Sequence, residues 1–492
     1  MPSQPSGTDP ATGEQREDAA QSQREDAAQS QRSDALQSRR NFVRGALAAA
    51  AGVASVPLTA VAASAQAISA SSGTPPASYG SLAATSGAGV NGVSVLSAFT
   101  VRVIAESGLP VGNTGLTYRG APDGAATFPD GAGGWYYTVN HELSNGAGGV
   151  TSIRFDSTGD IISAQSILSG TNRNCAGGPT PWGTWLSCEE NAGGAQGGQT
   201  SQIWECWPDG SQAGVNRPQM GTRNHEAVAV DEPNQVLYIT EDRSTGKLWR
   251  YTPTTWPDLS AGTLERAQTS NANGTGDVTW VSSGGRNYNG GEGIWFHKGS
   301  GKVYMATKGD ESIWELDTTT VPNRMELVWQ GSNNSSSPLY DPDNVTVEEG
   351  SGDLFVAEDR GQLRVVLITA EGALSTFLQF NNGAGEHSNS EVTGPVFNPA
   401  GDRMYVSSQR GGPNGSGVTY EISGPFRGAG GYAGAADPGA VLGAAEQPFR
   451  VTPDEGGITN ELARGGLAAG AAASAALLAF RNRKHQDRTD PS

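Results

Sequence analysis

The chain has 492 residues, including 69 glycines and 27 prolines, with 17% charged residues and a formal net charge of −18. That charge excludes nucleic acid as a partner, because its phosphates need a basic footprint. Long amphipathic helical patterns are missing between the two ends of the chain, which leaves many short strands joined by tight turns, an all-β protein. The acidity serves solubility, or it marks carboxylates that face inward and bind cations; position separates the two readings where composition does not.

In chain order, residues 16–39 carry an imperfect eight-residue repeat, REDAAQSQ, REDAAQSQ, RSDALQSR, whose polarity fits a disordered arm. Arg39 and Arg40 then precede Phe42 and a weakly hydrophobic, Ala-rich run that ends in Ala65-Gln66-Ala67. This pattern reads as a twin-arginine signal peptide over residues 1–67, so the chain is expected to engage the twin-arginine machinery and to work in the periplasm or outside the cell. That route carries folded proteins, often with cofactors already in place.

The next 360 or so residues (68–424) contain six units of one design: a short start, a strand, a Gly/Asp/Asn turn, a second strand and a polar end. They are Asp123–Glu142, Cys175–Glu190, His225–Asp242, Glu292–Asp310, Asp343–Arg360 and Glu391–Arg410, with starts 52, 50, 67, 51 and 48 residues apart. A strand-built period near 50 predicts a six-bladed β-propeller. The strand within residues 91–107 is expected to complete the last blade after Tyr420.

First strands of blades begin at one mouth of a central channel, so the six starts ring one axis. There the chain offers Cys175, His225-Glu226, Glu292, Asp343-Asn344 and Glu391, and in the first unit only Asp123 or its neighbours. Asp and Asn are common at strand starts for turn reasons, but Glu is not a turn former. Carboxylates gathered at one mouth repel unless cations sit between them, which predicts a metal site there. A Cys175 thiolate is a soft ligand that suits iron or another transition metal better than calcium; the alternative is an inert buried thiol. An iron centre assembled before export would give folded export a reason.

The second strands end in polar groups such as Glu142, Glu189-Glu190, Asp242, Lys308, Asp359-Arg360 and Arg410. These are expected at the opposite mouth or one layer out. Their arginines and Lys308 suit an anionic substrate, because guanidinium matches phosphate oxygens in a bidentate way. Three cysteines leave at least one unpaired; Cys188 and Cys206 form a cross-strand disulfide or stay reduced in the core. The histidines show no metal-ligand spacing such as HExxH, His297 reads as structural, and Gly193–Gly198 reads as a loop. Residues 425–464, rich in Gly, Ala and Pro, read as a linker. Gly465–Phe480 is uncharged and followed by Arg481, Arg483 and Lys484, so residues 465–492 form a tail anchor, a peripheral helix or a free tail.

The stretch Asn174-Cys175-Ala176-Gly177-Gly178-Pro179-Thr180-Pro181-Trp182-Gly183-Thr184-Trp185, continuing through Cys188-Glu189-Glu190, resembles the hallmark segment of the PhoX-type alkaline phosphatases. Asn140-His141-Glu142, Asn224-His225-Glu226-Ala227, Gly291-Glu292-Gly293-Ile294-Trp295, Pro342-Asp343-Asn344 and Ser390-Glu391-Val392-Thr393-Gly394-Pro395 are similar to the rest of that pattern, over about residues 95 to 425. The resemblance implies an exported six-bladed phosphatase that hydrolyses phosphate monoesters with iron and calcium at the channel mouth. It implies that Cys175 ligates iron, that Glu226, Glu292 and Glu391 bind or bridge the ions, and that Asp343 and Asn344 help to hold calcium. Arg360 and Arg410 are the candidate phosphate contacts, and the expected working unit is a monomer. The chain is shorter than many members, whose loops cap the site. Two other functions compete: a calcium-dependent propeller hydrolase of lactonase type, which needs no thiolate, and a non-enzymatic propeller that binds a partner at the cell surface.

Overall fold

The computed structural model of the protein describes residues 79–85, 90, 92–190, 201–331, 338–380 and 386–429. The segments expected to form the arm, the export signal, the tail and the greater part of the linker, together with Gly193–Gly198, lie outside them. Among the described residues no helix is long and apolar enough to cross a membrane.

Each of the six units folds as an antiparallel hairpin: Pro122–Pro129 with Trp135–His141, Asn174–Pro179 with Trp185–Glu189, His225–Asp231 with Val236–Glu241, Gly291–His297 with Lys302–Thr307, Pro342–Val347 with Leu354–Glu358, and Val392–Phe397 with Arg403–Ser408. Except in Asn174–Pro179, where every second residue is only partly buried, the first strands are buried on both faces, which is why they are rich in Gly, Ala and Val rather than alternating with polar residues. They lie side by side in chain order, and Val392–Phe397 returns against Pro122–Pro129, so the ring closes around a channel. The arrangement is propeller-like and all-β.

Two further strands extend each hairpin outward, so the strands form five hydrogen-bonded sheets. Nine strands make up the largest, because Gly276–Val281 pairs with Asp258–Thr269 on one side and with Asn323–Gln330 on the other, joining the third and fourth groups. That added strand accounts for the long interval of 67 residues between the third and fourth starts. The last group is completed from the other end of the fold: Thr100–Glu106 pairs antiparallel with Val418–Ser423, with Val103 opposite Tyr420. Leu82–Ala84 and Val93–Leu96 likewise extend the group of Pro342–Val347.

The core is divided among the six faces between neighbouring groups. Phe128, Leu168, Trp185 and Cys206 fill the face between the first and second groups, whereas Leu186, Cys188, Val228 and Leu237 fill that between the second and third. Tyr137, Phe155, Val396 and Tyr405 pack the last group against the first. Each large apolar side chain buried this way contributes about 1.5–3 kcal/mol. Cys188 lies opposite Ile203 and Cys206 opposite Trp185, three registers apart and on opposite faces of one sheet. Both thiols are free, and of the two states open from the sequence the structure has the reduced one.

Candidate metal centre

Every hairpin carries a register shift near the start of its first strand, where two residues face one on the second strand. In five of the six, the first of the two is Asp123, Cys175, Glu226, Glu292 or Asp343. The second is small in four of these, Gly124, Ala176, Ala227 and Gly293, and is Asn344 in the fifth. A β-bulge bends the strand and re-aims a side chain that regular alternation would place elsewhere. The small partner is required by neighbouring bulges that nearly touch. A Cβ on Gly124 would stand 2.4 Å from the Cα of Ala176, and one on Gly293 would stand 2.7 Å from the Cα of Asn344. Side chains replace the ladder bonds lost at the bulges. Asn140 Nδ2 donates to the carbonyls of Cys175 (3.1 Å) and Ala176 (2.7 Å), and Thr240 Oγ1 donates to that of Glu292 (2.6 Å).

Two sets of ligand atoms result. Glu226, Glu292 and Asp343 form one, with an oxygen from each within 4.8 Å of the others; Glu142, Cys175 and Glu190 form the second, to the same limit. The first set is buried, and Glu226 Oε1 has no hydrogen-bond partner. Burial first, then Glu292 and Asp343, pushes the Glu226 carboxyl well up. Asp123 is pushed up to about 7 by burial and by Glu142, and Glu190 to about 7 by burial against the opposing pull of Arg173. Burial and the neighbouring Asp123 raise the Cys175 thiol, which donates to Asp123 Oδ2 at 3.4 Å. A cluster that must take up protons to exist without cations is suited to hold cations. The residues present therefore fit metal ions: six converging ligands, one of them a soft sulfur, and among them an orphaned carboxylate oxygen.

The second strands end at the same mouth. A hairpin turns back on itself, so the end of one strand lies beside the start of the other, and the polar ends stand one layer out rather than at the opposite mouth. A backbone bond fixes this in all six units. The residue after each second strand donates its N–H to the residue ahead of the first: Glu142 to Ala121, Glu190 to Arg173, Asp242 to Asn224, Lys308 to Gly290, Asp359 to Asp341 and Gln409 to Glu391, at 2.9–3.1 Å. An outer ring thus surrounds the inner one. Together they line a cavity of about 540 Å³ in which eight carboxylates face four cationic side chains, Arg173, Lys308, Arg360 and Arg410.

The same bonds correct the alignment of the sixth unit. Glu391 matches Arg173 and Asp341 at the strand entrance, whereas the equivalent of Glu226 and Glu292 is Thr393. In this hairpin the bulge falls one residue later, at Gly394-Pro395. Glu391 still lines the cavity, but beside Asp359 and Arg410 and outside both ligand sets. Asn344 also stands apart from them. Its Oδ1 accepts from the Gly394 N–H (2.6 Å) and its Nδ2 donates to Asp343 Oδ1 (2.9 Å), so it orients Asp343 in this structure.

Both candidate phosphate contacts reach the cavity. Arg410 Nη2 pairs with Glu142 Oε2 at 2.6 Å, and Arg360 pairs with Asp341 while two thirds of its side chain stays exposed. Arg173, which sequence reasoning did not single out, joins Glu142 (2.7 Å) to Glu190 (2.6 Å). Its φ of +47° is a left-handed conformation that a non-glycine residue rarely takes. The only sequence signal for Arg173 is its place next to the hallmark stretch. His141 and His297 are structural, each with both ring nitrogens paired to backbone or hydroxyl groups, whereas His225 pairs only through Nε2, with the Gly221 carbonyl, and its buried Nδ1 has no hydrogen-bond partner; burial pushes His141 and His225 down to about 3.

Comparison with known proteins agrees with this geometry. A search of curated proteins found no match. Among solved structures, Pseudomonas fluorescens PhoX in complex with vanadate, a transition state analogue, aligns with 68% of this chain and 97% of its own, at 16% identity and a TM-score of 0.56. At that identity the likeness concerns the fold. A gluconolactonase from Xanthomonas campestris (12% identity, 67% and 91% covered, TM-score 0.41) and a luciferin-regenerating enzyme (14%, 68% and 97%, 0.42) are too distant to carry weight. The family model of alkaline phosphatase PhoX matches residues 136–297 and 295–412, more than half of the chain. That match runs through the bulges that present Cys175, Glu226, Glu292 and Asp343 and through the outer ring around them, and the chain belongs to the alkaline phosphatase PhoX family.

Proposed function

We propose that the chain is an exported, six-bladed phosphatase that releases inorganic phosphate from small phosphate monoesters. In this reading iron is held by Cys175 with Glu142 and Glu190, and calcium by Glu226, Glu292 and Asp343. The observation that carries it is the convergence of two ligand sets at one mouth in a member of this family. The six-blade count is supported by six hairpins, six packed faces and a closed ring of first strands. Export rests on the paired arginines and the Ala-rich run that follows them.

Bound ions supply positive charge against the phosphoryl oxygens and lower the pKa of an attacking oxygen. The remaining work belongs to the chain. Eight carboxylates at the mouth repel a phosphate dianion, so the residues admit substrate only when the cations they hold offset that charge. Arg410 and Arg360 stand at the rim with planar donor forks that orient phosphate oxygens and balance charge as the ester bond stretches. The bulges fix Cys175, Glu226, Glu292 and Asp343, and backbone bonds at the strand ends fix Glu142 and Glu190, so little reorganisation accompanies the reaction. No side chain is needed as a covalent nucleophile.

The test is hydrolysis of p-nitrophenyl phosphate and of a lactone by the folded protein, with elemental analysis, before and after Cys175→Ala. The expected result is phosphate-ester hydrolysis, iron together with calcium, and loss of both iron and at least 100-fold of kcat in the variant, about 2.7 kcal/mol of barrier. Lactone hydrolysis that survives the substitution supports a lactonase; bound ions with neither activity support a binding propeller.

A further inference from the structure

The outer ring reverses its charge at one place. Glu142, Glu190, Asp242 and Asp359 occupy four of its six backbone-equivalent positions with carboxylates, Gln409 occupies one with an amide, and Lys308 stands in the remaining one. Its Nζ lies 3.0 Å from Asp242 Oδ2 and 2.8 Å from Glu292 Oε1, bridging an outer carboxylate to an inner one. The side chain is 29% exposed, against 67% for Arg360 at the rim. It lines the cavity but is packed between two carboxylates, as a bound cation would be.

We propose that Lys308 is a resident cation that takes the place of a metal ion in the ring and so sets how many ions the mouth holds. The inference rests on the reading of this mouth as a metal centre. Glu226, Glu292, Asp343 and Asp242 carry four negative charges when ionised, and the ammonium between Glu292 and Asp242 reduces the sum to three, as a bound monovalent ion would. An ammonium is a compact point charge with three donors. Unlike a bound ion, it is not removed by a chelator, so it keeps Glu292 in position between cycles of ion loss and reloading. Lys308 also competes with an ion for Glu292, which makes its removal favourable to calcium rather than harmful. A merely structural lysine would have the opposite effect.

Equilibrium dialysis against calcium alone, with elemental analysis of the full chain, distinguishes these roles. Lys308→Glu restores the carboxylate found at the equivalent positions and is expected to bind one more calcium per chain than the parent. Lys308→Met is expected to keep the parent's count while binding calcium about tenfold more tightly at one site, because a positive charge next to that ion is gone. Lys308→Asp, matching Asp242 and Asp359, replaces the Glu variant should that one not fold by circular dichroism. An unchanged count in the acidic variants, or weaker calcium binding by Lys308→Met, would overturn the assignment. Parent protein that binds ions and hydrolyses phosphate esters alongside such variants leaves the phosphatase reading intact; parent protein that binds no ion removes both.

Discussion

Glu226 illustrates how a functional residue works against the fold that holds it. Its carboxyl is 1% exposed, one oxygen is without a partner, and Glu292 and Asp343 are its neighbours. In the metal-free protein these features are destabilising, because a buried charge without compensation costs far more than a paired one. Glu226→Gln is therefore expected to stabilise the chelated protein by about 1 kcal/mol while removing most of the stabilisation that calcium confers. Urea unfolding with EDTA and with calcium checks both halves; a variant less stable than the parent in EDTA contradicts this account. The same residue was legible in the sequence, since a glutamate at a strand start followed by alanine defies turn statistics. Arg173 was not legible. Its left-handed backbone and its two carboxylate partners depend on neighbours 31 and 17 residues away.

At the scale of the element, the decisive device is the bulge. The acid-then-small dipeptides Glu226-Ala227 and Glu292-Gly293 are visible locally, and they mark where the strand departs from regular pairing. Their purpose is visible only across strands, where Gly293 packs on the bulge of Asp343-Asn344. Gly293→Ala would force a Cβ to within 2.7 Å of the backbone of Asn344 and Val345, and backbone yields less readily than a side chain. The expected cost is about 1–3 kcal/mol of stability, with weaker calcium binding because Asp343 and Glu292 are moved apart. Thermal unfolding together with calcium dialysis measures this, and a variant with unchanged ion binding would show that the close approach is incidental. Shifted by one residue, the sixth bulge explains why the sequence pattern sets Glu391 level with Glu226: the hairpin is there, but its irregularity is displaced to Gly394-Pro395.

The described fold is a ring closed by two distant segments, with eight carboxylates gathered at one mouth. Asp123 and Glu190, at about 7 against ordinary values of 3.8 and 4.5, bind more protons when folded than when unfolded between roughly pH 4 and 7. In the chelated protein their contribution is thus present at low pH and lost as pH rises through 7. Bound cations abolish that trend by favouring the ionised form. The gap in unfolding free energy between calcium-loaded and chelated protein is accordingly expected to widen from pH 5 to pH 7, and a gap that narrows would contradict the ligand sets. His141 and His225, held near 3 against an ordinary 6.5, act in the other direction. The unfolded chain takes up their protons first, so both forms lose stability as pH falls below 6.5, by up to about 1.4 kcal/mol per unit for each histidine. The sequence by itself determined the strands, the turns, the near-50-residue spacing and the place where acids and Cys175 accumulate, because alternation, turn chemistry and unusual residues at strand starts are local properties. Only the tertiary structure decided that Thr100–Glu106 closes the ring on Val418–Ser423 and that Cys188 and Cys206 face different neighbours. It also decided which carboxylates meet. Those facts depend on register and on contacts between chain segments far apart in sequence, where a shift of a single residue turns a ligand away from its partners.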